Sequence, residues 1–155
     1  MKKKKVILII SLISLVITGA YAAQRAINIS GKTSGWMGSG MCFDKGDELT
    51  IAVTGSILHS SWDGEYHGPE GNPNSFCGSG CKPFTNKCNV AALVAKIGSS
   101  NVRCVGTAIS GIIHDSGELK FGINDTPVTD NKGSFQVVIQ GGHLCDSSSS
   151  SGSSW

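Results

Sequence analysis

In the stretch "ELTIAVTG", residues 48–55, Leu49, Ile51 and Val53 alternate with Thr50, Ala52 and Thr54. The same two-residue period returns in "GELKFGIN", 117–124, where Leu119, Phe121 and Ile123 alternate with Lys120, Gly122 and Asn124. Successive side chains of a strand point to opposite faces, so this period describes a ribbon with one buried and one wet face. Four more short segments read as strands: "RAINIS" (25–30), "GMCF" (40–43), "AALVAKIG" (91–98) and "SFQVVIQ" (134–140). No stretch has the 3.6-residue apolar period of an amphipathic helix, and clusters of Gly, Asn, Asp and Ser separate the apolar segments. Short strands punctuated in this way predict an all-β fold, an antiparallel sandwich or barrel. Residues 59–89 break the pattern, with few apolar alternations and most of the turn formers. A connection that long inside one domain is functional or disordered as a rule.

The chain opens with four lysines at 2–5, an almost unbroken apolar run over 6–17, and Ala20-Tyr21-Ala22 as a small-x-small site. This is the layout of a secretory signal peptide cleaved after Ala22, which places the protein outside the cytoplasm, secreted or periplasmic. The apolar run is short for a membrane span, and nothing later is long and apolar enough to cross a bilayer. The expected organisation is a leader at 1–22, one domain over 23–145, and a flexible Ser-rich tail at 146–155. Cleavage would leave 9 basic residues against 11 acidic ones, turning a formal charge of +2 into −2. The basic balance therefore belongs to the leader, and no basic face is left to suggest a nucleic-acid partner.

All six cysteines fall in the mature part, and an even number in an exported chain implies disulfides. Six cysteines allow fifteen pairings; the preferred set is Cys77–Cys81 as a local clip, with Cys42–Cys145 and Cys88–Cys104 as long-range staples. The rival is a zinc site from Cys77, Cys81 and Cys88. It is disfavoured because no histidine stands near the cluster at a standard ligand spacing.

Enzyme signatures are lacking. There is no G-x-S-x-G, and none of His59, His67, His114 and His143 stands in H-E-x-x-H. A carboxylate pair for glycoside cleavage could be drawn from Asp63, Glu65, Glu70, Asp125 and Asp130, but almost any chain offers such a choice. The more specific feature is "INDTPVTDNKGSF", 123–135, where two carboxylates, two amides and two threonines crowd a loop between predicted strands. Calcium takes six to eight hard oxygen donors of this mixture. Asp125, Asp130 and Asn131 could supply side-chain oxygens and Thr129 a carbonyl, with Gly133 letting the chain turn into the last strand. An ordinary Asx-rich turn accounts for the same composition. The spacing is not that of an EF-hand.

"FDKGDELTIAVTG" (43–55), "GPEG" (68–71), "ALVAKIG" (92–98) and "INDTPVTDNKGSFQVVI" (123–139), in that order, resemble the PA-IL-like galactose-specific bacterial lectins. The resemblance implies a jelly-roll-like β-sandwich, galactose-binding-domain-like, that carries one Ca2+ and binds galactose-containing or related glycans directly through the ion. Carried over by position, Asp125 would touch both ion and sugar, and Thr129 would give its carbonyl. Asp130 and Asn131 would replace two adjacent asparagines, the first of which also holds the sugar; Thr126 would lie beside the sugar through its backbone. A further carbonyl would come from 59–62. The loop is about two residues shorter than the family's between Thr129 and Asp130. The family's His-Pro-x-Gln wall is replaced here by "NPNSFCGSGC", so the insertion over 77–88 is expected to rebuild that wall, with Trp62, Tyr66 and His67 as candidate sugar contacts. A non-enzymatic lectin that could assemble as a homo-oligomer is the leading expectation. The alternative is an exported structural or adhesive sandwich in which calcium only stabilises the fold.

Overall fold

The two alternating ribbons become inner strands of two different sheets. A computed structural model describes residues 22–60, 64–75 and 82–146 of the chain. The leader up to Tyr21, Trp62, Asp63, the Cys77–Cys81 clip and the tail beyond Asp146 lie outside the described residues. The elements are β1 (Gln24–Ser30), β2 (Met37–Phe43), β3 (Glu48–Leu58), β4 (Leu93–Ile97), β5 (Arg103–Cys104), β6 (Ala108–Ile112), β7 (Gly117–Ile123), β8 (Lys132–Gly141) and β9 (His143–Leu144). One sheet has the order β1-β8-β3-β6 and the other β5-β4-β7-β2-β9. Every strand pair is antiparallel, and the described residues include no helix. This is the all-β sandwich expected.

Pairing in register carries the inward faces through. β3 runs against β8 from Leu49↔Gly141 to Leu58↔Lys132, and β4 against β7 from Leu93↔Ile123 to Ile97↔Leu119. Ile51, Val53, Phe135, Val137 and Ile139 of the first sheet thus share one core cluster with Phe43, Leu93, Leu119, Phe121 and Ile123 of the second. Each such side chain, fully withdrawn from water, contributes on the order of 1.5–3 kcal/mol.

"AALVAKIG" lacks clean alternation because β4 is covered on both faces. Leu93 and Ala95 face the core, while Val94, also fully buried, pairs with Gly122 of β7. There the Phe84 ring sits on Gly122 so closely that a Cβ at that glycine would come within 2.6 Å of it. Trp36 stacks on Phe84 at 4.3 Å between centroids, and the Lys96 ammonium lies 4.7 Å above the Trp36 ring.

The strand at 91–98 is shorter than expected, because Ala91 takes a positive φ of 63° and only Leu93–Ile97 is strand. β2 starts earlier than expected, at Met37, with a register shift between Gly38 and Cys42. β5, β6 and β9 were not anticipated. Cys42–Cys145 and Cys88–Cys104 are both formed, as preferred. The second removes Cys88 from any thiolate zinc site. Among the described residues no helix is long and apolar enough to cross a membrane.

Candidate functional site

Four chain segments converge at one end of the sandwich: the ends of β1, β3 and β7 and the start of β8. β7 stops at Ile123 and β8 starts at Lys132, so 124–131 is the loop that passes from one sheet to the other. Its two ends are anchored by sheet, and this is what holds Asp125 and Asn131 at fixed places.

Asn131 is fully buried, and its Nδ2 donates to the Gly31 carbonyl at 2.9 Å. Gly31 in turn donates its N–H to the Gly133 carbonyl at 2.9 Å. The approach is close: a Cβ at Gly31 would lie 3.2 Å from both Ile57 Cγ2 and the Lys132 carbonyl. Gly133 has a φ of 86°, and a Cβ there would collide with the Ser56 carbonyl, so the turn into β8 requires glycine.

Asp125 is also buried, at 7% exposure. Two oxygens in this loop, Asp125 Oδ2 and Asn131 Oδ1, are buried and accept no hydrogen bond. Such atoms are uncommon, and each costs free energy unless something satisfies it. Burial pushes the Asp125 carboxyl above the ordinary carboxylate range; the Asn131 amide and His59 pull it down, the neighbouring Asp130 pushes it up, and the Thr126 backbone pulls it down. Asp130 and Thr129 are exposed and directly precede Asn131. A carboxylate oxygen and an amide oxygen without donors, beside a second carboxylate and backbone carbonyls, form a hard-oxygen set. That chemistry fits calcium rather than a soft metal.

The remaining expected residues fall around this loop. Thr126 is exposed; its hydroxyl donates to the Asp125 carbonyl at 2.6 Å, and its own carbonyl accepts the Lys82 N–H at 3.3 Å. His67 forms a two-way backbone bridge with Ile57, at 2.9 and 2.8 Å, which lays 64–67 along the end of β3. Tyr66 is 56% exposed, and its ring edge lies over Gly133, 3.2 Å from where a Cβ would stand. Both aromatic candidates within the described residues therefore lie against the end of the β3–β8 pair, Tyr66 over Gly133 and His67 beside Ile57. Among the carboxylates considered for hydrolysis, Glu70 is engaged by the Thr107 N–H at 3.1 Å, and Asp63 lies outside the described residues.

Sequence reasoning missed two residues here. The His59 side chain is buried, with its ring 5.8 Å from that of His67 and its Nε2 3.1 Å from Ser75 Oγ. Only a backbone role within 59–62 had been expected, because a histidine ending an apolar run carries little signal. The other is Asn124, one more oxygen-bearing residue by sequence. It is fully buried and its carboxamide is consumed by backbone groups of 85–89, so its side chain is not available to ligate an ion.

Elsewhere, Asp44, Asp47 and His143 bring ligand atoms within 4.8 Å of one another at the opposite end of β3. Asp47 Oδ2 accepts the Asp44 N–H at 2.8 Å, which closes a turn, and two of the three residues are exposed. A cleft of about 390 Å³ opens between β6 and the β4–β5 hairpin, lined by Ile97, Val105, Ile109 and Ile113. It holds no comparable set of buried oxygens, so the 124–131 loop is the better candidate.

The family model described as PA-IL-like protein matches residues 25–143. Among solved structures, the chain is similar to one titled "EclA N-terminal domain; PllA-like lectin", with a TM-score of 0.61 and 17% identity over 79% of this chain and 99% of that one. No curated protein sequence matches it significantly.

Proposed function

The chain belongs to the PA-IL-like family, and from that premise we propose that it is an exported, non-enzymatic, calcium-dependent lectin for galactosides or related sugars. The observation that carries the reading is the pair of buried, unsatisfied oxygens, Asp125 Oδ2 and Asn131 Oδ1, in the loop between the sheets. Asp125 and Asn131, joined by Asp130 and the Thr129 carbonyl, would hold the ion. Calcium bound there supplies a centre at which neighbouring sugar hydroxyls replace water.

The protein's own residues divide the remaining work. Asp125 would serve ion and sugar together. Asp130, exposed beside it, would offer a second acceptor for sugar hydroxyls, and the Thr126 backbone would lie next to the sugar. The exposed Tyr66 ring would give an apolar sugar face something to lie on, with His67 close by in the chain as a further contact. A shallow site of this kind binds weakly, so useful avidity calls for several sites on one assembly, as in a homo-oligomer. The leader at 1–22 would deliver the domain to the oxidising space where Cys42–Cys145 and Cys88–Cys104 persist. Calorimetric titration of the folded protein with galactose, in calcium and after chelation, tests the reading: binding that disappears with chelator supports it, and binding indifferent to chelator defeats it.

A further inference from the structure

We infer that residues 82–92, tied back by Cys88–Cys104, are the positioning element of the candidate calcium loop, and that Asn124 is the residue through which they act. The inference rests on the calcium site proposed above and deepens it. Asp125 has two chain neighbours, and one segment grips both. On one side, Asn124 Oδ1 accepts the Thr85 N–H at 3.1 Å, and its Nδ2 faces the carbonyls of Thr85, Cys88 and Asn89, each at 3.0 Å. The Asn124 main chain adds two more bonds, donating to the Ala92 carbonyl at 2.9 Å and accepting from the Ala91 N–H at 3.1 Å. On the other side, the Thr126 carbonyl accepts the Lys82 N–H at 3.3 Å. With both neighbours held, the direction of the Asp125 carboxylate follows from where 82–92 lies.

Between Lys82 and Asn89 that segment forms no strand. Asn89 Nδ2 donates to the Glu70 carbonyl at 2.9 Å, Val90 makes an isolated bridge with Asn72, and sheet resumes at Leu93. Phe84 rests on Gly122, and the covalent anchor is Cys88, bonded to Cys104 of β5, which pairs with Val94. The disulfide thus fixes one of the three carbonyls that Asn124 Nδ2 faces. By sequence, the cysteine-clipped insertion was expected to form the outer wall of the sugar site. Its part within the described residues lies against the residues that carry Asp125.

Groups that orient metal ligands without touching the ion set affinity strongly; losing one costs about 10–100-fold in metal binding. The other long-range disulfide supplies an internal control. Cys42–Cys145 lies at the far end of β7, where Cys42 pairs with Glu118. The test compares calcium titration by calorimetry, and melting in chelator, for the intact chain, Cys88→Ser with Cys104→Ser, and Cys42→Ser with Cys145→Ser. Both variants should melt lower in chelator. Only the first should bind calcium more weakly, by about 10–100-fold. Lys82→Pro, which removes the N–H that the Thr126 carbonyl accepts and keeps Cys88–Cys104, should weaken calcium in the same direction and covers the case in which the double variant does not fold. Equal calcium affinity in the intact chain, the first double variant and Lys82→Pro overturns the inference and leaves the lectin reading standing. An equal loss in both disulfide variants overturns it too, by showing a general effect of stability. No calcium binding by the intact chain removes the proposed site and this inference together.

Discussion

Replacing Asp125 with asparagine should change stability in opposite directions with and without calcium. In chelator, the carboxylate is a buried anion with an unpartnered oxygen, and burial raises its pKa above the ordinary value near 3.8. A carboxyl raised in the folded state stabilises the fold fully only below its unfolded pKa, and that contribution is lost as pH rises through the folded value. At neutral pH the apo fold therefore carries a cost at Asp125, which a neutral amide of the same shape relieves. Asp125→Asn should melt at the same temperature as the wild type or higher in chelator. In calcium the order reverses. At a hundredfold excess over Kd, an ion that binds only the folded state adds about 2.7 kcal/mol. For a domain of this size, that corresponds to roughly 10 °C in Tm, and the variant should forfeit most of it. Paired thermal melts at fixed pH, with calcium and with chelator, read both signs. Equal destabilisation of Asp125→Asn under the two conditions would refute the cation-site reasoning, as would a wild type whose Tm ignores chelator.

Other perturbations separate the parts. By loop closure alone, losing Cys42–Cys145, with its sequence separation of 103, should cost about 4.7 kcal/mol, and losing Cys88–Cys104, with a separation of 16, about 3 kcal/mol; urea unfolding of the two Ser variants measures the order. Phe121→Ala, at a position with no exposure in the middle strand of its sheet, should cost about 3–5 kcal/mol in the same assay. Tyr66→Ala should leave calcium affinity and Tm unchanged while weakening galactoside binding by about 1 kcal/mol, a several-fold loss in a direct sugar titration.

The inner strands were legible because a half-buried ribbon must alternate. β3 and β7 show it residue by residue, and β8 matches its expected span to within two residues. The strands that were missed are short or glycine-rich. β5 and β9 have two residues each, β6 is an exposed edge, and "MGSG" at the start of β2 has no alternating apolar side chains to reveal it. Two disulfides could be preferred from spacing, yet nothing in the spacing said what they support. The loop 124–131 stood out because its oxygens are contiguous in sequence. His59 and the bonding of Asn124 did not, because their roles arise from segments 16 to 39 residues away that only the fold brings together. Asn124, by sequence one more oxygen-bearing residue of that stretch, proved to have a side chain fully occupied by backbone groups.

Galactoside binding by the folded, disulfide-intact protein, measured with calcium and again after chelation, bears most directly on the lectin reading. A calcium lectin built on Asp125 and Asn131 should bind in calcium, lose binding in chelator, and recover it when calcium is restored. A protein that gains roughly 10 °C in Tm from calcium yet binds no glycan on an array would instead be a structural sandwich stabilised by its ion, and the lectin reading would fail.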